Sequence, residues 1–383
     1  MKKNEKCSKI FILFFLLLLY PLAGGMTDAY FPLNGVVLEK EEPEFSVKKL
    51  CDGTYQNDVD AYLLNHVNGW NLAVKAYNQL LYSIFHVSSN DNVEIGLDNQ
   101  LFEPEYLYYS LGIFPQPSNE EIQNLIGKLV ALDKLLQENN KQLYLFITPS
   151  KARYYEDKAP AAYKFCSNVK GDGLAYDKFI QGLDHTNLKV FDSIQYINQN
   201  RQYFDFPLWY ATGIHWSRAL GSEVAVGFHQ YLKESSGYDL GQIQVEQMET
   251  PEPLNPDADL YHTLNLLVKP KETYYTQKFC MKEGDRKPNV FFRGGSFMGQ
   301  SLKCLVDNHI LGKTVYFENY YYTLDGNKME VLSDFDSYDE MDIPAYIEQS
   351  DILVLEVNEN KIWIMSWGFI DYILDYYGVA EGE

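Results

Sequence analysis

The chain has 383 residues, 46% of them hydrophobic and 15% aromatic, enough to build one large hydrophobic core or two smaller ones. A formal net charge of −21 argues against nucleic acid as a partner, because phosphate contacts need lysine- and arginine-rich surface. The same charge gives no overall attraction to an anionic polymer.

Lys2, Lys3, Lys6 and Lys9 precede an apolar run from Ile10 to Leu22, interrupted by Tyr20 and Pro21, and Ala23-Gly24-Gly25 follows. This is the order of a secretory signal over residues 1–25. The run is short for a membrane span, and an uncleaved anchor over 10–22 is the alternative. Either way the positive end stays in the cytosol and the remainder is exported, to the periplasm or the cell surface. Residues 26–89 read as an extension: a proline- and glutamate-containing stretch, then helical apolar spacing from Asp58 to Phe85.

From about residue 90 a larger domain begins. Gly96 to Glu103 reads as a turn into a short strand. Ser118-Asn-Glu-Glu121 is a capping box opening an amphipathic helix to about Asn139. Leu143–Thr148 is an apolar strand ending in Pro149-Ser150-Lys151. A helix near Leu174–Gly182 and a strand Leu188–Phe191 follow, and Ser217 caps a helix reaching about Glu234. Residues 235–288 are rich in proline and acid and read as loops or an insertion. Strands near Val315–Phe317 and Ile352–Glu356 come next, then an amphipathic segment Ile362–Tyr377. Strands alternating with helices imply an α/β fold, a mainly parallel sheet with helices on both faces. Ligands bind such sheets beyond the carboxyl ends of the strands, where Pro149-Ser-Lys151, Asp192 and Ser296 all fall.

Ser296 stands out. Val290–Phe292 reads as a buried strand, Gly294-Gly295 as a tight turn, and Phe297, Met298, Leu302, Leu305 and Val306 recur at helical spacing. Strand, turn, serine and helix make a nucleophile elbow, with the Ser296 and Gly295 amides as candidate oxyanion donors. The serine needs a base, and His215 in Thr212-Gly-Ile-His-Trp-Ser217 is the candidate. Against this, a serine after two glycines can be a plain turn residue, and a histidine beside Trp216 can be a packed one. Lys151 and Arg153 either bind an anionic group or cover apolar surface with their stems. Tyr321, within Tyr320-Tyr321-Tyr322, is either a sugar platform or part of a sheet edge. Cys51, Cys166, Cys280 and Cys304 match no zinc spacing. Cys280 and Cys304 flank the elbow, so they either bridge and brace it or remain free buried thiols.

Six blocks occur in order along the chain: Gly96-Leu-Asp-Asn-Gln-Leu-Phe-Glu103, Thr148-Pro-Ser-Lys-Ala-Arg-Tyr-Tyr155, Val190-Phe-Asp192, Asn255-Pro-Asp-Ala-Asp-Leu260 with Thr263-Leu-Asn-Leu266, Gly295-Ser296-Phe297 and Asp351–Glu359. Together they resemble the alginate O-acetyltransferase group of SGNH-hydrolase-like proteins. The resemblance spans roughly residues 90–370, and implies an SGNH-hydrolase-like domain over 90–383. One departure stands in the histidine block. Where the family carries Asp two residues before His, this chain has Gly213, and Gly295 likewise stands where a Gly-Asp-Ser block carries Asp.

The acid normally fixes the histidine tautomer and stabilises the imidazolium. Three readings therefore stand: a carboxylate from elsewhere, Asp205 or Asp192; orientation of the ring by a backbone carbonyl or Thr212; or a degenerate site that only binds glycan. The resemblance implies an exported polysaccharide O-acetyltransferase working through an acyl-Ser296, with the acetyl group delivered by a membrane-bound acyltransferase. It needs no metal or cofactor. An acetylesterase on the same site and a catalytically inactive glycan-binding or assembly protein are the alternatives.

Overall fold

The computed structural model describes residues 11–12, 31–35, 42–66, 69–167, 174–269, 271–319, 321–325 and 333–379. The expected leader and anchor lie outside the described residues apart from Phe11 and Ile12. Among the described residues, no helix is long and apolar enough to cross a membrane. The chain forms two compact units, Met1–Val93 with Leu260–Lys271, and Glu94–Asp259 with Glu272–Glu383.

The first unit carries helices α1 (Val47–Asp52), α2 (Thr54–His66) and α3 (Trp70–Leu80). The single helical run expected from Asp58 is interrupted at Gly69, whose left-handed backbone (φ 81°) cannot continue a helix. Asn78 Nδ2 donates to the Leu264 carbonyl at 2.9 Å, and Gln79 Oε1 accepts from the Leu267 and Val268 amides at 3.1 and 3.0 Å. These bonds attach the 260–271 segment to this unit rather than to the one that precedes it in sequence.

The second unit begins with the two-residue strands β1 (Glu94–Ile95) and β2 (Leu101–Phe102), then helices α4 (Pro104–Ser110) and α5 (Asn119–Glu138). Ser118 and Glu121 close the capping box in both directions. Strand β3 (Gln142–Thr148), α6 (Lys151–Tyr154), α7 (Ala175–Leu183), β4 (Lys189–Asp192), α8 (Ser193–Asn200) and α9 (Arg218–Ser236) follow. Over 235–288, where the sequence reads as loops or an insertion, two nine-residue strands, β5 (Gln242–Thr250) and β6 (Tyr274–Lys282), pair antiparallel. Their solvent-facing residues are polar, so the pattern lacked the apolar content by which strands are found. Between them lies the short helix α10 (Asp259–Thr263). The chain continues through β7 (Val290–Gly294), α11 (Ser296–Asp307), β8 (Thr314–Glu318), β9 (Tyr321–Asp325), β10 (Ser333–Asp334), α12 (Ile343–Glu348), β11 (Ile352–Asn358) and α13 (Phe369–Tyr376).

The main sheet has the order β10-β9-β8-β7-β11-β3-β4. Strands β8, β7, β11, β3 and β4 run parallel, and β9 and β10 add an antiparallel edge. Alternation along β3 sends Tyr144 and Phe146 to one face, where they pack with Phe228, Leu302 and Leu305 from α9 and α11. Leu143, Leu145 and Ile147 go to the other, against Leu129 and Leu132 of α5, Phe179 of α7 and Phe369 of α13. Each fully buried leucine or phenylalanine contributes about 1.5–3 kcal/mol of transfer free energy, so the two faces hold the sheet between helical layers. This is an SGNH-like α/β architecture. Within the amphipathic segment Ile362–Tyr377, Ser366 (φ 59°) and Trp367 (φ 51°) are left-handed, and helix α13 starts only after Gly368.

Candidate active site

β7 ends in Gly294, and Ser296 opens α11, so the Ser296 hydroxyl stands at the carboxyl end of a central parallel strand. The close passage of β11 explains the glycine: a Cβ at Gly294 would lie 2.7 Å from Glu356. Ser296 Oγ lies 2.8 Å from His215 Nε2. His215 Nδ1 lies 2.5 Å from Asp259 Oδ2, and Asp259 Oδ1 accepts from the Ile214 amide at 2.9 Å. A carboxylate only accepts, so the ring proton sits on Nδ1 and Nε2 is left to receive the serine proton.

The carboxylate beside His215 is thus Asp259, not Asp192 or Asp205. Asp192 caps α8, accepting from the Ile194 and Gln195 amides at 2.9 and 3.3 Å, and takes the Tyr176 hydroxyl at 2.7 Å. Asp205 is exposed on a surface depression with Arg201, Phe206 and Glu272. Thr212 does not orient the ring either; its hydroxyl donates to Glu272 Oε2 at 2.8 Å. Gly213 is needed for the arrangement observed. A Cβ there would lie 2.8 Å from the Asp257 carbonyl and 3.2 Å from that of Pro256, in space occupied by the segment that carries Asp259. Asp257 holds this segment down, accepting from the Arg218 and Leu254 amides at 2.7 and 3.3 Å.

Lys151 is fully buried and lines no rim. Its ammonium donates to the carbonyls of Leu101, Tyr210, Ala211 and Gly213 at 2.8–3.0 Å and so clamps the loop leading to His215. Burial pulls its pKa down to about 7, against the charges of Glu272 and Asp259. Arg153 is ion-paired with Glu359, which also accepts from the Ser150 amide at 2.8 Å. Both cations therefore serve the fold rather than a substrate anion. Tyr321 opens β9, in register with Glu318, and its side chain lies outside the described residues. Cys280 and Cys304 are unbridged: Cys280 is exposed on β6, while Cys304 is buried with its thiol 3.2 Å from Ser222 Oγ.

Gly295 is not an oxyanion donor. Its amide donates to Glu356 Oε2 at 2.7 Å, and its carbonyl accepts from the Tyr316 hydroxyl at 2.6 Å. The Ser296 amide, first in α11, has no carbonyl within its own helix to reach and stands at the positive end of the helix dipole, at a residue that lines a cavity. That cavity, of about 220 Å³, is walled by Tyr106, Asn319, Glu356, Lys361, Ile364 and Trp367 around Ser296.

Electrostatics at the site are dominated by carboxylates. Burial would lower the His215 pKa, but the hydrogen bond and charge of Asp259, helped by Glu103 and Glu318, raise it above its ordinary value. Burial raises Glu103 and Glu318, with His215 opposing. Glu356 is pushed up to about 7 by burial, against hydrogen bonds from Thr148 and Gly295. Among the described residues, no group of three or more His, Cys, Asp or Glu side chains is placed to hold a metal ion.

A five-stranded parallel sheet with a serine-led helix and a histidine loop at one rim defines the class, an SGNH-hydrolase-like domain. The chain belongs to the family described as the SGNH hydrolase-like domain of the acetyltransferase AlgX, whose model matches residues 100–291. No curated protein is significantly similar in sequence. Among solved structures, the O-acetyltransferase domain of Pseudomonas putida AlgJ is 16% identical, covering 74% of this chain and 99% of that one, with a TM-score of 0.47. Pseudomonas aeruginosa AlgX is 15% identical over 73% of this chain and 66% of that one, TM-score 0.43. Bacillus cereus PatB1 is 10% identical over 64% and 92%, TM-score 0.42.

Proposed function

We propose that this protein is an exported polysaccharide O-acetyltransferase whose nucleophile is Ser296, with His215 as base and Asp259 as the acid that orients it. The observation carrying the reading is the unbroken line from Ser296 Oγ to His215 Nε2 and from Nδ1 to Asp259, at 2.8 and 2.5 Å. His215 takes the Ser296 proton as Oγ attacks the acetyl carbonyl, and the negative oxygen forms against the Ser296 amide at the start of α11. The imidazolium returns the proton to the leaving group, leaving acetyl-Ser296. A sugar hydroxyl then gives its proton to His215 and attacks the acetyl carbonyl; the bond to Ser296 Oγ breaks, and the imidazolium returns the proton to Oγ. The donor is a membrane-bound acyltransferase, and export follows from the leader.

The degenerate, glycan-binding alternative rests on the acids missing at Gly213 and Gly295, and Asp259 beside His215 favours the catalytic reading over it. Mass spectrometry after incubation with an activated acetyl ester tests the proposal. An acetyl adduct on Ser296, absent in Ser296→Ala and reduced in His215→Ala, is expected. No adduct under any condition sinks the enzymatic reading, and release of acetate at a rate no sugar diverts makes the protein an esterase.

A further inference from the structure

We infer that the acceptor is an uncharged sugar seated against Trp367, and that polyuronates are poor acceptors; the inference rests on the acetyl-transfer reading of Ser296.

The cations in and around the site already have partners. Lys361 is the one cationic side chain lining the cavity among the described residues. It pairs with Glu105 and lies 5.8 Å from the centres of the Tyr106 and Tyr109 rings. Arg153 is held by Glu359, and Lys151 is buried on four carbonyls. Carboxylates, by contrast, converge on the reacting atoms: Glu356 walls the cavity, while Glu103 and Glu318 act on His215. A sugar carboxylate entering here finds no guanidinium fork among the lining residues to offset its desolvation.

Trp367 shows what the cavity is built to hold. An aromatic residue at φ 51° and ψ 51°, directly after Ser366 at φ 59°, is a costly backbone, about 1–3 kcal/mol for each such residue. The fold maintains it deliberately. The Tyr338 hydroxyl lies 2.9 Å from both the Ser366 and Trp367 carbonyls, and Arg293 donates to that hydroxyl through Nη2 at 2.8 Å and Nε at 3.1 Å. The Arg293 guanidinium also lies 4.8 Å from the centre of the Trp367 ring. The indole reaches so far over the elbow that a Cβ at Gly295 would come within 3.2 Å of it. A half-buried indole in the cavity wall beside the serine hydroxyl is apolar surface against which the C–H groups of a pyranose can pack, burying area without needing charge.

The test uses the full chain with an activated acetyl ester and two acceptor series, neutral gluco- or N-acetylglucosamine oligosaccharides and oligouronates. Transfer to the neutral series should be at least tenfold faster. Trp367→Ala should lose at least tenfold in transfer to the neutral acceptor, a larger loss than it suffers in formation of acetyl-Ser296, and Trp367→Phe should recover part of it. Equal or faster transfer to uronates overturns the inference. So does a Trp367→Ala that slows acylation and transfer alike. Binding of the same oligosaccharides to Ser296→Ala by calorimetry, with and without Trp367→Ala, reads the sugar preference even if no acyl-enzyme forms. That separates failure of this inference from failure of the Ser296 chemistry.

Discussion

Asp259→Asn is the sharpest perturbation available, because it changes charge and tautomer while keeping shape. In the wild type the carboxylate accepts from His215 Nδ1 at 2.5 Å and from the Ile214 amide at 2.9 Å. As Ser296 attacks, His215 becomes an imidazolium with its charge roughly 4 Å from that of Asp259. At an effective dielectric of about 20 this attraction is worth about 4 kcal/mol, and each ~1.4 kcal/mol is a factor of ten in rate, so its loss alone predicts about a thousandfold. The amide adds a second fault. If its NH2 group faces Nδ1, the ring proton moves to Nε2, which can no longer accept from Ser296. A fall of about 10³ to 10⁴ in kcat/KM is therefore expected.

The assay is acetyl release from a chromogenic ester, followed in parallel by the Ser296 adduct, with urea unfolding to show that the variant is folded. Asp192→Asn and Asp205→Asn serve as controls and should stay within about threefold of wild type. Activity of Asp259→Asn within tenfold of wild type, at an unchanged unfolding midpoint, refutes the assignment. A larger loss in either control does the same.

His215 must be neutral to act as a base, and its pKa is raised by Asp259, so the acid limb of the pH–rate profile should lie above the ordinary imidazole value of about 6.5 and move down in Asp259→Asn. The same shift stabilises the fold fully below about pH 6.5, and that part of the difference between wild type and Asp259→Asn is lost as pH rises through the His215 pKa. Glu356 has the opposite sign from an ordinary paired carboxylate. Its pKa is raised from 4.5 to about 7, so stability is present in full below 4.5 and lost as pH rises through 7. That amounts to about 3 kcal/mol, and unfolding of Glu356→Gln in urea should depend less on pH across this window. Gly213→Ala places a Cβ 2.8 Å from the Asp257 carbonyl and should displace the Asp259 segment, lowering turnover at least tenfold and the melting temperature by several degrees.

What the chain disclosed about itself follows from how local each feature is. The Ser296 elbow was legible because strand, glycine pair, serine and helix are consecutive, and the capping box at Ser118 for the same reason. Lys151 and Arg153 were recognisable as charges next to a strand end, but a sequence carries no sign of the four carbonyls or of Glu359 that consume them. The β5–β6 hairpin went unseen because its strands are polar and largely solvated. Asp259 was the hardest residue to find: it lies 44 positions after His215, in a segment whose composition marks it as loop.

Gly213 and Asp259 are best understood together. An aspartate at position 213 and the backbone of Pro256 and Asp257 cannot occupy the same space, since even a Cβ there would be 2.8 Å from the Asp257 carbonyl. The glycine that looks like a lost acid is the vacancy into which another loop brings one. Two consequences distinguish this exchange from simple decay of the site. Gly213→Asp introduced into Asp259→Asn should fail to restore acetyl release, because the side chain has no route to His215 that leaves the 255–259 segment in place. Meanwhile the Lys151 clamp, which fixes the Gly213 carbonyl at 2.9 Å, should remain as necessary to the wild type as Asp259 itself, because it holds the histidine loop against which the new acid docks. Recovery of activity in the double variant to within tenfold of wild type would show that the two positions are independent, and that the glycine is only a scar.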